Sequence, residues 1–576
     1  MPLSIIPRPQ PIWIEPEPIP EDFDWRQLHP QRLIASLLYR RGIRTAEEAA
    51  AVLDCSDPNN LDYHRLPNIE AALDRAEQAI AANERIGIFG DYDADGITSA
   101  TLLTRALRSA MPDGVITPFV PDRTDGYGVS ERGLRLLAER GCTLLIAVDT
   151  GTNDARVIAL AQQLGMDVIV LDHHEVGAHP AQCIIVNPKL APATSYPELV
   201  GVGVTWLFAM GLLDRGHDIA RLDNGDVSAM LDLVAIGTVA DVGTLRGANR
   251  ALVAHGLERL HRSERPGTKA LARFSEKPLA QVTPEDISFR LGPRLNATGR
   301  VASPDKALKM MLAEDDDTAD RYGVFVEQCN ANRKAQTDQI MNEVALKILA
   351  TPEWEQLPII ALYGDHWSTG LVGPIASKIT ERLGVPAILM QHQDGVLTGS
   401  GRSVPGVNLL EIISAAESLL TRYGGHAGAG GVTLPVENYH AFVDTITAAA
   451  SQPGLGLPLP PTIQLHAMLD ERAFQVSIME ILEELAPFGH GNDFPTFGVK
   501  GATLRYVNTV GRDGAHLKLT LGSPGRELTA IMWGAGNRSR ELVGASRIDV
   551  CGKLSVNVFQ GQRSLQMFMD DFRVSQ

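Results

Sequence analysis

In GDYDADG, residues 90–96, three aspartates fall at alternate positions, Asp91, Asp93 and Asp95, with Gly96 behind them. They follow a short apolar run, IGIF, that reads as a buried strand. Three carboxylates this close repel one another, and burying bare charge costs several kcal/mol per ion. A divalent cation that takes oxygen ligands resolves the conflict. Three further stretches carry residues of the same kind. AVDTGT supplies Asp149, LDHHE supplies Asp172, His173 and His174, and VADVG supplies Asp241. One aspartate past a strand ordinarily caps a helix. Four such places, one with adjacent imidazoles, point instead to a shared site. Carboxylates with one or two imidazoles favour Mn2+ or Mg2+ over zinc, whose structural sites want thiolates. The carboxylates are too many for one ion, so two ions sharing a bridging carboxylate are expected. Such a pair, about 3.5–4 Å apart, can activate water against a phosphate ester and stabilise the departing oxygen. No GxxxxGK[ST] stretch is present, so nucleotide-driven motor work is not indicated.

These residues lie far apart in the chain, so a frame must gather them. From residue 86 onward apolar runs alternate with helix-period segments. Strands are predicted at 86–90, 115–120, 144–148, 167–171 and 184–186, with helices at 99–109, 130–140 and 155–164. This is the pattern of an α/β fold with a parallel sheet covered on both faces. Ligands of such sheets collect beyond the carboxyl ends of the strands. Asp91, Asp149 and Asp172 fall at those ends, and Asp241 follows the apolar segment LDLVAIGTVA. Short helices are predicted across 31–82. A long helical connector covers 306–349, with Gly323 as a point of interruption and the acidic run Glu314–Asp317 as a solvated face or helix start.

A second α/β lobe then runs from about 359 to 450, with strands IIALYG and PAILM around a helix at 371–383. Its glycine-rich RYGGHAGAGG, residues 422–431, lets backbone approach a ligand closely and carries His426; Ser400 and Arg402 precede it. GLGLPLPPT, 454–462, reads as a linker. Alternating polar and apolar residues from 463 to 576 predict a small antiparallel barrel of the oligonucleotide-binding (OB) kind. The resulting division is an N-terminal proline-rich arm with helices (1–48), a parallel-sheet domain (49–305), a connecting helix (306–350), a second α/β domain (351–453) and a barrel (463–576).

The net charge of −17 taken alone argues against a whole-surface binder of nucleic acid, though not against a local basic channel. Two stretches depart from it. Between Thr496 and Gln576 eleven Lys and Arg stand against six Asp and Glu, with Tyr506, Trp533, Phe559 and Phe568 available for stacking. ISFRLGPRLNATGRVASP, residues 287–304, contains Arg290, Arg294 and Arg300 and no acid. Arginine forks suit phosphate, and Asn296 adds an amide donor. In PDRTDGYGVS, 121–130, Arg123 and Tyr127 have the chemistry to hold a terminal phosphate and stack a base. Five widely spaced cysteines form no CxxC pattern, so a reducing compartment is expected and a zinc site is not. The proline-rich N-terminus lacks the pattern of a signal peptide and is expected as a disordered or surface-hugging extension, and no run is long and apolar enough for a membrane span.

GDYDADG, AVDTGT, LDHHE and VADVG, in this order, resemble the four motifs of the DHH phosphoesterase superfamily. RLNATGR, GGHAGAGG and the C-terminal barrel extend the likeness, over residues 35–576, to its single-strand-specific exonucleases. The resemblance implies Asp93, Asp95, Asp149, His173 and Asp241 as metal ligands, with Asp149 bridging. It implies that Asp91 ligates or orients water, that Asp172 and His174 orient the site or touch the scissile phosphate, and that His426 lies near the scissile group. Arg123, Tyr127, Arg294, Asn296, Arg300, Ser400 and Arg402 are implied substrate-binding residues. The implied activity is 5′→3′ hydrolysis of single-stranded DNA in repair and recombination, by a cytoplasmic monomer using Mn2+ or Mg2+. Implied partners are a single-strand-binding protein and a recombination helicase. Two other readings are a phosphodiesterase of short oligonucleotides or cyclic dinucleotides, and a non-catalytic DNA-binding replication factor; intact metal motifs and the basic barrel weigh against them.

Overall fold

A computed structural model describes residues 10–452 and 461–575, apart from Tyr127, Asn224 and the side chain of Thr124. Strand β1 (Ile12–Ile14) pairs in parallel with residues 462–464, beyond the proline-rich linker, most of which lies outside the described residues. This part of the N-terminal arm therefore hugs the surface as an added strand. The Trp13 indole N–H donates to Asp571 Oδ2 at 3.0 Å, and the Arg573 guanidinium lies 4.5 Å from the Trp13 ring centroid. Helices α1 (Arg32–Arg40) and α2 (Ala46–Leu53) bury Ile34, Leu37, Leu38 and Ala49 in one core with Phe497, Leu517 and Phe572 of the barrel. Residues near both ends of the chain thus share a core, which the division at 1–48 did not anticipate.

Helix α3 (Ile69–Ala81) leads into the parallel sheet, with strands β2 (Ile86–Gly90), β3 (Ile116–Phe119), β4 (Leu144–Val148), β5 (Asp167–Leu171) and β6 (Ile184–Val186) in the order β3-β2-β4-β5-β6. Side chains alternate across its two faces. Ile86, Ile88, Leu144 and Ile146 pack in one core with Ile97, Ala100 and Leu103 of α4 (Ala94–Ala110). Phe89, Leu145 and Ala147 pack on the other side with Leu134 and Leu137 of α5 (Glu131–Glu139) and Ile158 and Ala161 of α6 (Ala155–Gln163). The chain order reverses at β2, which lies between β3 and β4, so the crevice past the ends of β2 and β4 is where a ligand belongs.

Helices α7 (Gly201–Asp214) and α8 (Leu231–Ala240) are apolar almost all round because they are buried almost all round. LDLVAIGTVA is therefore a core helix, which apolar content alone does not distinguish from a strand. Helices α9 (Gly247–Leu260) and α10 (Pro266–Phe274) follow, then a single turn, α11 (Pro284–Asp286). It runs through a π-helical turn at 287–291 into α12 (Gly292–Val301), so the arginine-rich stretch is helical. The connector is two helices, α13 (Asp305–Met311) and α14 (Asp316–Ala350). Asp315 caps the second, its Oδ1 accepting from the Thr318 amide at 2.7 Å. Gly323 does not interrupt α14. It lets Phe274 pack against the helix: a Cβ there would lie 2.2 Å from Phe274 Cε2.

The second lobe holds β7 (Ile360–Gly364), α15 (Thr369–Leu383), β8 (Ala387–Gln393), β9 (Val396–Arg402), α16 (Leu409–Ser414), β10 (Arg422–His426), β11 (Ala429–Pro435) and α17 (Tyr439–Ala450). The glycine-rich stretch forms the β10–β11 hairpin at the sheet edge, with Gly424 opposite Gly431. After β12 (Thr462–Gln464), β13 (Ala467–Leu469) and α18 (Ser477–Leu482), strands β14 (Thr496–Val510), β15 (His516–Ser523), β16 (Arg526–Met532), β17 (Arg547–Phe559) and β18 (Gln562–Val574) run in the order β14-β15-β16-β18-β17, and β17 pairs back onto β14. That closure makes a five-stranded barrel. The small barrel expected from the sequence is present but not wholly antiparallel, since β16 and β18 pair in parallel.

Candidate active site

Asp91 and Asp93 leave the end of β2 on either side of Tyr92. Asp93 caps α4, its Oδ1 accepting from the amides of Asp95 at 2.9 Å and Gly96 at 3.1 Å. Gly96 permits the tight turn, since a Cβ there would lie 2.4 Å from the Asp91 carbonyl oxygen. Asp95 is fully buried and accepts from the amides of Gly201 at 2.7 Å and Val202 at 2.9 Å, the positive end of α7. Asp149, past β4, has φ +59°, a left-handed conformation that Asp tolerates better than most residues. Gly201 leaves room for it: a Cβ there would be 2.7 Å from Asp149 Oδ1.

Asp172, past β5, is committed to internal partners. Its Oδ2 accepts from the Thr152 amide at 3.0 Å, and its Oδ1 from the His173 amide at 2.7 Å and lies 2.8 Å from His174 Nδ1. This tether holds the imidazole pair. His173 Nε2 lies 3.1 Å from Asp149 Oδ1, 3.6 Å from Asp241 Oδ2 and 3.8 Å from Asp95 Oδ2. Asp241 arrives as the cap at the end of α8. Carboxylates from three parts of the chain thus meet around one imidazole.

The electrostatics show what the cluster lacks. Burial, and then repulsion from Asp93, raise Asp91 and Asp95 to about 7. Burial, and then Asp95, raise Asp241 to about 8 and carry Asp149 well above the usual carboxylate range. Burial lowers His173 to about 3, so the ring is neutral, the form that ligates a metal. Burial also acts to lower His174, but the hydrogen bond and charge of Asp172 prevail and raise it to about 9. Both oxygens of Asp149 and Oδ1 of Asp91 are buried without a hydrogen-bond partner. Three sets of ligand atoms converge, each within 4.8 Å: Asp91 with Asp93 and Asp149, Asp95 with His173 and Asp241, and Asp149 with His173 and His174. Orphaned carboxylate oxygens, an oxygen-rich donor set and a neutral imidazole fit divalent ions such as Mn2+ or Mg2+. Asp149 belongs to two of the sets.

Beside the cluster lies a cleft of about 270 Å³, lined by Tyr92, Asp93, Asp95, Arg123, Asp241, Val242, Asn296 and Arg300 among others. The Arg123 guanidinium is 5.3 Å from the Tyr92 ring centroid. Asn296 Oδ1 accepts from the Ala94 amide at 2.7 Å, fastening α12 to the first turn of α4. Arg300 Nη1 donates to the Gly370 carbonyl of α15 at 2.7 Å, so it reaches the second lobe. Arg402 Nη1 donates to Ser400 Oγ at 2.8 Å, and both side chains border Gly373 of the same helix. His426 is exposed at the β10–β11 turn, where its Nδ1 accepts from the Gly428 amide at 3.2 Å, and it does not line this cleft. Tyr127 lies outside the described residues.

Arg294 corrects the expectation from sequence. It is buried, with Nε donating to Glu327 Oε2 at 2.6 Å, Nη1 to the Arg290 carbonyl at 2.8 Å and Nη2 to the Phe274 carbonyl at 2.7 Å. Asn296 and Arg300 are four residues apart and share a helix face; Arg294, two residues before Asn296, falls on another face, against α14. Arg294→Ala should therefore cost stability, about 2 kcal/mol for the orphaned partners, and leave KM for a substrate strand unchanged. A kinetic loss without a stability loss would reverse this assignment.

Sequence reasoning missed several contributors. Tyr92 and Val242 line the cleft, and both sit inside motifs that had drawn attention only to their aspartates. Asn187 is fully buried and donates to the His174 carbonyl at 2.9 Å and to Thr152 Oγ1 at 3.1 Å. Asp154 Oδ2 accepts from the Val129 amide at 2.8 Å. These two carried no local signal, because their partners are remote in sequence.

Fold and site together define a DHH phosphoesterase that carries a DHHA1 domain and an OB barrel. The DHH family, N-terminal domain, matches residues 85–238, the DHHA1 domain 356–452 and the RecJ OB domain 465–571. The single-stranded-DNA-specific exonuclease RecJ of Bacillus subtilis is 34% identical over 556 residues, covering 96% of this chain and 69% of that protein. RecJ of Escherichia coli is 31% identical over 562 residues, covering 94% and 95%. The crystal structure of RecJ in complex with Mn2+ from Thermus thermophilus superposes with a TM-score of 0.81 at 28% identity, covering 98% of this chain and 80% of that one. The chain belongs to the RecJ family of exonucleases.

Proposed function

We propose that this protein removes nucleotides from an end of single-stranded DNA by hydrolysing phosphodiester bonds, with two divalent ions, Mn2+ or Mg2+, held by Asp91, Asp93, Asp95, Asp149, His173 and Asp241. The observation that carries the reading is the buried carboxylate of Asp149, which accepts no hydrogen bond, among the converging ligand sets. When bound, the ions supply charge that activates water and stabilises the phosphoryl oxygens. The chain's own groups do the rest. Asp172 fixes both histidines through its hydrogen bonds, and His174, raised to about 9, remains an imidazolium at neutral pH that can donate to a phosphate oxygen. Arg123 and Arg300 border the cleft as phosphate ligands, and Asn296 holds α12 in place beside them.

Ser400 and Arg402 lie near the start of α15, whose positive end attracts a phosphate at the strand's terminus. With His426 they form the second lobe's contribution. Polarity is 5′→3′ in this reading, and the pathways served are repair and recombination. On the barrel, Trp533 is 60% exposed, and its ring stacks on Phe568 at 6.1 Å and meets His516 at 4.7 Å, a surface on which bases can stack. A single-strand-binding protein and a recombination helicase are the proposed partners, and the protein acts as a cytoplasmic monomer. No helix among the described residues is long and apolar enough to cross a membrane.

With Mn2+ the purified protein should degrade end-labelled single strands and spare blunt duplex. Long strands should be degraded faster than dinucleotides assayed beside them. Trp533→Ala should raise KM for long strands about tenfold, the worth of one stacked base, and leave dinucleotide cleavage unchanged. Preference for dinucleotides would favour the small-substrate reading, and metal binding without hydrolysis would favour a scaffold.

A further inference from the structure

Helix α8 ends in a Schellman turn. The Gly243 amide donates to the Thr238 carbonyl at 2.9 Å and the Val242 amide to the Val239 carbonyl at 3.3 Å. The residue after the cap must then adopt the left-handed region, and here that residue is Val242, with φ +59°. Glycine suits this position; a β-branched side chain is a steric outlier in it. The neighbouring glycine has its own reason to be there, since a Cβ at Gly243 would lie 2.8 Å from Val200 Cγ1 and 2.9 Å from the Thr238 carbonyl oxygen. No comparable packing accounts for the valine. Val242 is 61% exposed, so its side chain gains little from the protein's own interior. It projects where function lies: directly after Asp241, on the wall of the cleft that also holds Tyr92, Arg123 and Arg300. A strained backbone that carries an exposed apolar group at an active site is retained for what that group touches.

We infer that Val242 is a substrate-contact residue, its methyl groups packing against the apolar sugar–base portion of the nucleotide whose phosphate lies at the carboxylate cluster. The inference rests on the reading of this cleft as the nuclease site. Charged groups in the cleft can hold phosphate, but they do not fix the nucleoside attached to it. Val242 and Tyr92 are the sizeable apolar side chains lining the cleft, and so the ones that can.

The test uses the full chain with Val242→Gly and Val242→Ile. Thermal midpoints are measured with and without Mn2+, Mn2+ affinity by titration, and kcat and KM on end-labelled single strands. Val242→Gly relieves the strain, so its midpoint should equal or exceed that of the wild type, with Mn2+ affinity within about twofold and KM raised roughly tenfold, the scale of a lost apolar contact. Val242→Ile should keep KM near the wild-type value. An unchanged KM in Val242→Gly would overturn the inference. So would a lowered midpoint, which would make the side chain a packing element, or weakened Mn2+ binding, which would make it a support for Asp241. Failure of the wild-type protein to degrade strands in Mn2+ would instead sink the nuclease reading itself.

Discussion

Asp149→Asn should lower kcat/KM on single strands by on the order of 10³-fold or more, about 4 kcal/mol of transition-state stabilisation, in a protein that remains folded. The two halves of this result come from one feature. Neither Asp149 oxygen accepts a hydrogen bond, and the nearest group, His173 Nε2 at 3.1 Å, belongs to the same cluster, so the surrounding fold does not depend on them. Asn also accepts the left-handed backbone at this position, where φ is +59°. The carboxylate is nonetheless shared by two of the three ligand sets, and an amide lacks the charge to draw two cations together. Burial and the neighbouring Asp95 already disfavour an ionised Asp149, so a neutral amide in its place takes nothing from the metal-free fold. The thermal midpoint of the variant in chelator should therefore match or exceed the wild-type value, and the rise on adding Mn2+ should shrink sharply. Paired activity and melting measurements check both halves. Activity within tenfold of wild type would mean that Asp149 is not the shared ligand.

The second large effect is the coupling of stability to pH and metal. Asp91, Asp95 and Asp241 have folded values of about 7, 7 and 8 against 3.8 for the ordinary carboxyl. Through these three groups the native chain holds more protons than the unfolded chain between those values. Their contribution to stability without metal therefore falls as pH rises from about 4 to about 8, outweighing His173, which acts the other way between about 3 and 6.5. Divalent ions reverse the sign, because they bind the ionised carboxylates and displace those protons. The rise in midpoint on adding Mn2+ should thus be small at pH 5 and grow to about 5–10 °C at pH 8.5, the scale of a ligand at a hundredfold excess over its dissociation constant acting on a domain of this size. Melts at the two pH values, in chelator and in Mn2+, measure it. A metal response equal at both values would show that these carboxyls do not carry the linkage.

The aspartates and histidines were legible in the sequence because each follows an apolar run that could only be buried, and charge at the end of a buried run needs a partner. Strands β2, β4 and β5 were readable for the same reason, since their residues suit burial on both faces. The arginine-rich stretch was less transparent. Its composition marked a phosphate site, but only the helix periodicity of α12 separates Asn296 and Arg300, on the cleft side, from Arg294, which is bound to Glu327 and the Phe274 carbonyl. The apolar run before Asp241 gave no period, because a helix buried on every side has no polar face to reveal one.

The amino-acid order by itself determined the chemistry: which side chains can hold cations, which can hold phosphate, and that they belong to an α/β chain with a barrel at its end. Tertiary structure decided the rest. It set Gly201 and Val202 against Asp95, His173 between three carboxylates, and Arg300 across to α15. It also joined the first helices to the last strands in one core. Local preference acts over a turn or a strand, whereas these contacts join residues tens to hundreds of positions apart. Such contacts are fixed by which buried faces pack together, and that information is spread over the whole chain and absent from any single stretch of it.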